Sequence, residues 1–231
     1  MRLRHVIPVG VAIVAIAGVA AWAVQSSRSW APPADVSLQR LDRYGRVPPF
    51  SLTERSGRRV GRDDLRGHVA VVDFIYTDCT ETCPTQSLQF AQLQRQFADA
   101  PDLRLVSITV DPAHDTPEAL RAYADRYGAT DRWWFLTGDQ RAIYCLAKDG
   151  FHLSVVDASV TQPAACGSTF RWGPAPAWAS HGSTGLIMHS ARLVLVDRKG
   201  EIRAYHLATD PEALEHMKTN LRRLLSERPG P

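Results

Sequence analysis

The chain has few cysteines and little charge imbalance. Its 231 residues include four cysteines, too few and too unevenly placed for a scaffold held together by disulfides. Lysine and arginine total 27 against 24 acidic residues, a formal net charge of +3, and no dense basic run is present. Nucleic acid is therefore not expected as a partner. The cysteines are better interpreted as one working pair with two others.

The longest uncharged apolar segment lies near the N-terminus, from Val6 to Val24, and only Pro8 interrupts it. It is just shorter than the roughly 20 residues that cross a bilayer as a helix. Arg2 and Arg4 precede it, so the positive-inside rule predicts a cytoplasmic N-terminus. We expect a single-pass protein of the inner (cytoplasmic) membrane with its domain on the periplasmic, extracytoplasmic side. A cleaved signal peptide is the alternative, because Ala21-Trp22-Ala23 has the form of a cleavage site.

Three regions are predicted along the chain. Residues 1–24 form the membrane anchor or signal peptide, and residues 25–45, with several serines and prolines, form a linker. Residues 46–231 are long enough for one domain with its own core, since single domains commonly have about 150 to 200 residues. One globular domain outside the cytoplasm is the expected organisation.

The hydrophobic pattern of this domain predicts an α/β fold. Apolar runs at 69–76 and 103–110 read as strands, and a helical pattern between them gives a βαβ unit with a parallel pair. A hairpin is predicted from Arg192 to His206, followed by a helix that starts at Asp210 or Pro211. We therefore predict a thioredoxin-like fold, a mixed sheet flanked by helices, preceded by a transmembrane helix.

A long insertion is predicted before the last strand hairpin. From about Asp157 to Gly185 the chain is rich in proline, glycine, alanine, serine and tryptophan and shows no clear periodicity. Loops of this length are uncommon and are often functional. We leave two interpretations open: a variable surface excursion, or a segment that covers the site or contacts a partner.

Two cysteines follow the first long strand directly. Cys79 and Cys83 are separated by three residues, and Pro84 fits a helix only in its first turn. The sulfurs should therefore meet at a strand-to-helix corner, where the helix dipole favours thiolate. Asp78 precedes the pair and Glu81 lies within it, with no neighbouring arginine or lysine, which disfavours a thiol peroxidase.

The chain resembles the Sco/SenC family of copper-binding, thioredoxin-fold proteins that serve cytochrome oxidase assembly. Three blocks carry the resemblance: Asp73 to Pro84 with its CxxxC-Pro motif, Val106 to Pro117 with its D-P-x-x-D-T-P pattern, and His189-Ser190 ahead of Leu195-Val196-Asp197. The resemblance extends from about Phe50 to the end. One departure is Thr80, where the family often has proline.

The resemblance implies that Cys79, Cys83 and His189 bind copper. Two thiolates and an imidazole independently suit Cu(I), a soft ion that tolerates low coordination numbers, and binding of Cu(II) is left open. Zinc usually requires a fourth ligand. Asp78 is the candidate for orienting the ligands from outside the metal's own shell. His181, eight residues before His189, is read as a loop residue.

Two functions follow from this set of residues. The first is a copper metallochaperone without substrate turnover, which delivers Cu(I) to the copper-binding subunit of cytochrome c oxidase or to another cuproprotein. The second is a thiol-disulfide oxidoreductase that uses Cys79 and Cys83 as its redox pair to reduce the cysteines of such a copper site. The two functions differ over His189, which only the copper carrier needs.

The other cysteines and histidines are assigned no part in that chemistry. Cys145 and Cys166 could form a structural disulfide in an oxidising compartment, could be unrelated, or could be an extra metal-binding pair. Sequence does not supply the geometry that a disulfide needs. His68, His152 and His206 are expected to be solvated or packed side chains.

Overall fold

The computed structural model describes residues 38–153, 155–157, 166, 187–189 and 191–227, and at 155–157 and 187–189 it describes the backbone alone. All of them belong to the unit that starts at Leu38. The predicted membrane segment, most of the insertion and His181 lie outside the described residues. Within the described part, no helix combines the length and apolar character needed to cross a bilayer.

The described residues contain ten strands and four α-helices. The strands are β1 (Gly45–Arg46), β2 (Ser51–Glu54), β3 (Arg59–Gly61), β4 (Val69–Ile75), β5 (Leu103–Thr109), β6 (Trp133–Thr137), β7 (Val155–Asp157), β8 (Ile187–His189), β9 (Arg192–Val196) and β10 (Glu201–Leu207). The helices are α1 (Thr82–Gln96), α2 (Pro117–Arg126), α3 (Gln140–Cys145), which continues into a π-helical turn (Leu146–Gly150), and α4 (Pro211–Ser226). A short 3₁₀ helix (Arg62–Leu65) precedes β4.

Eight strands form one mixed sheet in the order β1-β10-β9-β4-β5-β6-β2-β3. β4, β5 and β6 are parallel, as the βαβ pattern predicts, and the remaining pairs are antiparallel. All seven residues of β4 are buried, because this strand lies in the middle of the sheet with helices on both faces. β7 and β8 form a separate two-stranded sheet.

The sheet separates two hydrophobic cores. On one face, odd-numbered residues of β4 and β5 pack against α1, α2 and α4. The core on this face also contains Cys79 and Cys83. On the other face, even-numbered residues of the same strands pack against α3 and its π-helical turn. This three-layer arrangement confirms the mixed α/β fold with flanking helices that the sequence predicts.

The folded unit includes residues that the sequence analysis assigned to the linker. The backbone of Tyr205 donates a hydrogen bond to the carbonyl of Leu38, and Asp42 donates to Arg203, both at 2.9–3.0 Å. The backbone carbonyl of Gln39 accepts a hydrogen bond from Nδ2 of Asn220 at 2.6 Å, and its side-chain Oε1 lies 3.1 Å from Nδ1 of His216. The segment from 38 onward is therefore fixed to β10 and α4.

His206 is fully buried between β10 and α4, where Asn220 Nδ2 lies 3.4 Å from its Nε2. Burial, followed by the nearby charges of His216 and Arg192, lowers the pKa of His206 to about 4. The folded protein therefore keeps this imidazole neutral at pH values where the unfolded chain, with a pKa of roughly 6.5, takes up a proton. The sequence-based expectation of a packed histidine is confirmed here.

We predict that stability falls on acidification because of His206. The neutral imidazole makes its full contribution to the free energy of unfolding above about pH 6.5. This contribution is lost as the pH falls towards 4, by at most about 1.4 kcal/mol per pH unit. Urea unfolding at pH 7 and pH 5 should show a smaller loss in His206→Gln than in the wild type. His114→Gln is the control, because that exposed histidine has a raised pKa. Equal losses in wild type and His206→Gln would contradict the prediction.

Candidate functional site

The CxxxC motif occupies the corner between β4 and α1. β4 ends at Ile75 and α1 begins at Thr82, so Cys83 and Pro84 both lie in the first turn of the helix, as the sequence predicts. Proline is acceptable there because the first amides of a helix have no intrahelical partner. The corner thus places Cys79 in the connecting loop and Cys83 at the start of the helix.

The fold brings the two thiols together and shields them from solvent. Neither cysteine forms a disulfide; Cys79 is 8% exposed and Cys83 is 0% exposed. The backbone N–H of Cys83 donates a hydrogen bond to Sγ of Cys79 at 3.4 Å, and the N–H of Cys79 donates to the carbonyl of Tyr76 at 3.3 Å. These bonds hold Sγ of Cys79 at the N-terminal end of α1, beside Cys83.

Burial opposes ionisation of Cys83. Desolvation raises the pKa of this thiol far above its usual range, and the hydrogen bond and charge of Cys79 raise it further. The expectation that the helix terminus favours thiolate is therefore wrong for Cys83 in the metal-free protein, because the dipole of one helix is worth much less than full burial. Burial, followed by the charge of Cys79, also raises the pKa of the half-buried Tyr76.

Asp115 fixes the loop that leads to Cys79. Its buried carboxylate accepts hydrogen bonds from the N–H of Thr77 at 3.1 Å and from the hydroxyls of Thr77 and Thr109. Burial nevertheless raises the pKa of Asp115, although these hydrogen bonds act in the opposite direction. We call these three residues the Asp115 network. It joins the ends of β4 and β5 to the start of α2.

Sequence analysis missed the Asp115 network. It used this position only as part of the D-P-x-x-D-T-P pattern. The cap of α2 is the next residue, Thr116, whose hydroxyl accepts a hydrogen bond from the N–H of Ala119 at 3.3 Å. One signal was present: parallel strands end at the same edge of a sheet, so residues that follow β4 and β5 must lie close together.

A second pair of polar residues lies beside the corner. His114 Nδ1 is 2.8 Å from Oδ2 of Asp111, and this hydrogen bond is the main reason that the pKa of His114 is raised. The charge of Asp78 contributes to the same rise, so Asp78 lies in electrostatic reach of this pair. Asp78 is exposed, and its predicted role in orienting metal ligands stays a prediction.

The third predicted ligand is placed by its backbone alone. His189 is in β8, paired with Val155 of β7, and its side chain lies outside what the structure describes. In the described ranges, no group of three or more histidine, cysteine, aspartate or glutamate residues is arranged to bind a metal ion. The structure therefore unites Cys79 with Cys83, and the joining of His189 to them stays a prediction.

The two remaining cysteines are bonded to each other. Cys145 at the end of α3 forms a disulfide with Cys166 in the insertion, and their Cα atoms are 5.5 Å apart. Both line a cavity of about 460 Å³ whose wall is mostly apolar and includes Phe50, Leu52 and Leu146. The disulfide thus attaches the insertion to the face of the sheet opposite the CxxxC motif.

A mixed sheet with a buried pair of thiols at a strand-to-helix corner defines a thioredoxin-like dithiol protein. The sequence profile of SCO1/SenC matches residues 39–226, which is most of the chain. The chain belongs to the SCO1/SenC family. This confirms the resemblance drawn from the three sequence blocks.

Individual relatives agree with this assignment. The chain is 37% identical over 94 residues to the SCO1 protein homolog of Bacillus subtilis, an alignment that covers 40% of this chain and 49% of that protein. It is 28% identical over 170 residues, 71% of each chain, to a Stutzerimonas stutzeri protein whose name describes it as copper-binding. The chain spans about half the length of several relatives that it matches.

A solved structure shows the same fold. BsSco, described as a member of the Sco family of cytochrome c oxidase assembly proteins with a disulfide switch, has a TM-score of 0.60 and 25% sequence identity. The superposition covers 82% of this chain and 99% of BsSco. The likeness therefore includes nearly all of that protein.

We predict that the Asp115 network stabilises the site loop. Asp115→Ala would leave the N–H of Thr77 without its partner, at a cost of about 1–3 kcal/mol for a buried unsatisfied group. Asp115→Asn keeps the size and one acceptor oxygen, so we expect it to lose less. Urea unfolding measures the cost, and hydrogen exchange at residues 77–79 locates it. Unchanged exchange at these amides in Asp115→Ala would refute the role assigned to this carboxylate.

Proposed function

We propose that this protein is a copper metallochaperone that binds Cu(I) through Cys79, Cys83 and His189 and passes it to a recipient protein. The observation that carries the proposal is the pair of adjacent cysteines, which form no disulfide and are held at the corner by the N–H to Sγ hydrogen bond. Family membership supports copper as the metal, as does the relative from Stutzerimonas stutzeri that is described as copper-binding.

The donor set of the corner fits a soft cation. Thiolate sulfur prefers Cu(I), whereas hard cations such as Mg²⁺ and Ca²⁺ need several oxygen ligands. The buried carboxylate of Asp115 already accepts hydrogen bonds from Thr77 and Thr109. Asp111 is paired with His114. These two carboxylates already have hydrogen-bond partners, and the two sulfurs are the soft ligands that the corner offers.

We assign the third position to His189 because β8 immediately precedes the β9–β10 hairpin, in the order of the family's histidine-bearing block. An imidazole is neutral at pH 7 and binds copper without losing a proton, so it adds a ligand at little electrostatic cost. His181 serves as the comparison residue, since it lies in the same region of the sequence and has no motif around it.

The proposed setting is the outer face of the inner membrane. The apolar segment from Val6 to Val24 would attach the domain there, with the positive residues on the cytoplasmic side. The proposed recipient is the copper-binding subunit of cytochrome c oxidase, because BsSco is described as a member of a family of cytochrome c oxidase assembly proteins. Another cuproprotein in the same compartment would have the same need for Cu(I).

The second candidate function is thiol-disulfide exchange by the same pair. It is favoured by the contact between Cys83 N–H and Sγ of Cys79, since thiols this close can close into a disulfide after small movements. Such an oxidoreductase would reduce the cysteines of a recipient copper site. Thiol-disulfide exchange does not require an imidazole, so substitution of His189 distinguishes this function from copper transport.

An anaerobic Cu(I) titration tests the proposal. The domain lacking residues 1–24 would be titrated against a competing Cu(I) chelator, comparing wild type with Cys83→Ser, His189→Ala and the matched control His181→Ala. We expect one tight equivalent in the wild type and in His181→Ala. It should be lost in Cys83→Ser and weakened by about tenfold or more in His189→Ala, the usual scale for a lost ligand or its supporting group.

The opposite results are equally informative. Absence of tight Cu(I) binding in the wild type would rule out the copper-carrier function and leave thiol-disulfide exchange as the proposed function. If Cu(I) affinity falls in His181→Ala and is unchanged in His189→Ala, the third ligand is His181 and not His189. Circular dichroism of each variant checks that the fold persists.

Copper binding by this site should weaken on acidification. Burial keeps the proton on Cys83, so Cu(I) must displace that proton, and apparent affinity falls as the proton concentration rises. We expect the apparent affinity to drop by about tenfold per pH unit for each proton displaced. The same competition titration at pH 8, 7 and 6 measures it. An affinity independent of pH would show that the buried thiols are already ionised.

A further inference from the structure

The strand that carries His189 belongs to a small sheet of its own. β8 pairs with β7 through three residue pairs, in which His189 lies opposite Val155 and Ile187 lies opposite Asp157. This sheet is separate from the eight-stranded sheet. A two-stranded sheet is only marginally stable in water, so its geometry depends on what holds the ends of its strands.

The outer ends of the two strands are fixed to the domain. Before β7, the N–H of Leu153 donates a hydrogen bond to the carbonyl of Ala147 in the π-helical turn, at 2.9 Å. After β8, the carbonyl of Ala191 accepts a hydrogen bond from the N–H of Ala208, just beyond β10, also at 2.9 Å. The inner ends lead into residues 158–186, and closing a connection of this length costs conformational entropy.

The disulfide between Cys145 and Cys166 restrains the inner end of β7. Cys166 lies in the connection between β7 and β8, and its partner Cys145 ends α3, 21 residues earlier in the chain. The covalent ring that the two residues close contains the whole of β7. This strand is therefore tied to α3 on both sides, by the backbone on one and by the S–S bond on the other. A disulfide acts mainly by restricting the unfolded chain, so this one favours the state in which β7 is in place to pair with β8.

The position of His189 along the sheet follows from the pairing of β9 with β4. The two strands are antiparallel, with Val72 opposite Val194, so β9 begins at the edge of the sheet where β4 ends. The loop to Cys79 leaves β4 at that edge, and His189 lies three residues before β9. The pairing of β8 with β7 therefore restricts the backbone of His189 near the edge from which the cysteine loop starts.

We propose that the Cys145–Cys166 disulfide positions the third copper ligand, because it holds β7 where it pairs with β8 and so restricts the backbone of His189. This inference rests on the proposed function and deepens it, since it names what orders that ligand before the metal binds. Ordering a ligand in advance lowers the entropic cost of binding. Cu(I) affinity should therefore depend on a disulfide attached to the face of the sheet opposite the CxxxC motif.

The test removes the disulfide with the double substitution Cys145→Ser/Cys166→Ser. The matched control is Asn220→Ala in α4, which removes a hydrogen bond of 2.6 Å to the carbonyl of Gln39 and lowers the stability of the fold away from β7 and β8. The wild type is used with a reduced CxxxC motif and the second pair oxidised, which intact mass and a count of two thiols confirm. Circular dichroism checks that each variant folds.

The first readout is metal-free and measures hydrogen exchange at the amides of residues 155–157 and 187–189. We expect exchange to be faster by about tenfold or more in the double variant, because the disulfide no longer opposes local opening of the small sheet. Asn220→Ala should leave these amides at the wild-type rate, since they exchange by local opening and not by global unfolding.

The wild type with its second pair reduced gives the same exchange comparison without a substitution. Excess dithiothreitol breaks the S–S bond, forms two thiols and is itself oxidised to its cyclic disulfide. Unchanged exchange at the β7 and β8 amides, in this sample and in the double variant, would overturn the proposal.

The second readout is a double-mutant cycle of Cu(I) affinity between the disulfide and His189. We expect Cys145→Ser/Cys166→Ser to bind Cu(I) about tenfold more weakly, and Asn220→Ala to bind it as the wild type does. In the His189→Ala background, loss of the disulfide should have no further effect, because both changes remove the same interaction.

Two results of the cycle would contradict the proposal. If the two losses are independent, the disulfide affects copper by a route other than His189. If affinity is unchanged while exchange is faster, the disulfide orders β8 without acting on the metal site. If the wild type binds no Cu(I), the proposed function fails, and the exchange rates still decide whether the disulfide holds β8.

Discussion

The parallel pairing of β4 with β5 is the constraint on which the site depends. Their register runs from Val69 opposite Leu103 to Ile75 opposite Thr109, so both strands end at one edge of the sheet. The chain after β4 carries Cys79, and the chain after β5 carries Asp115, which returns to bind Thr77. A shift of this register by one residue would turn the buried side chains of β4 to the opposite face and separate the two loops.

The site balances two opposing demands on its sulfurs. A metal-binding thiol must give up its proton, yet the corner buries Cys83 completely and raises its pKa, with Asp73 adding to the effect. Cys83 of the metal-free protein is thus kept protonated, which limits its reaction with oxidants, since thiolate is the reactive form. A carrier gains from this arrangement, because the cation itself supplies the charge that makes ionisation favourable.

Local sequence patterns were sufficient for the fold and for the position of the two thiols. The apolar run of β4, the proline after Cys83 and the helical spacing of α4 each depend on neighbours a few residues away. The Asp115 network depends on which residues meet at the edge of the sheet, and the sequence around Asp115 does not show that its carboxylate binds Thr77. The dipole argument for Cys83 was wrong because burial depth is a property of the whole fold.

The disulfide between Cys145 and Cys166 gives this chain two cysteine pairs in different oxidation states. Protein made in a reducing cytosol would carry four thiols instead of two. Such a sample would show twice the thiol content and extra soft-metal ligands far from the CxxxC corner. The thiol count of a preparation, taken before any metal is added, therefore reports whether the chain matured in an oxidising or a reducing compartment. It also gives the number of thiols with which a later metal stoichiometry can be compared.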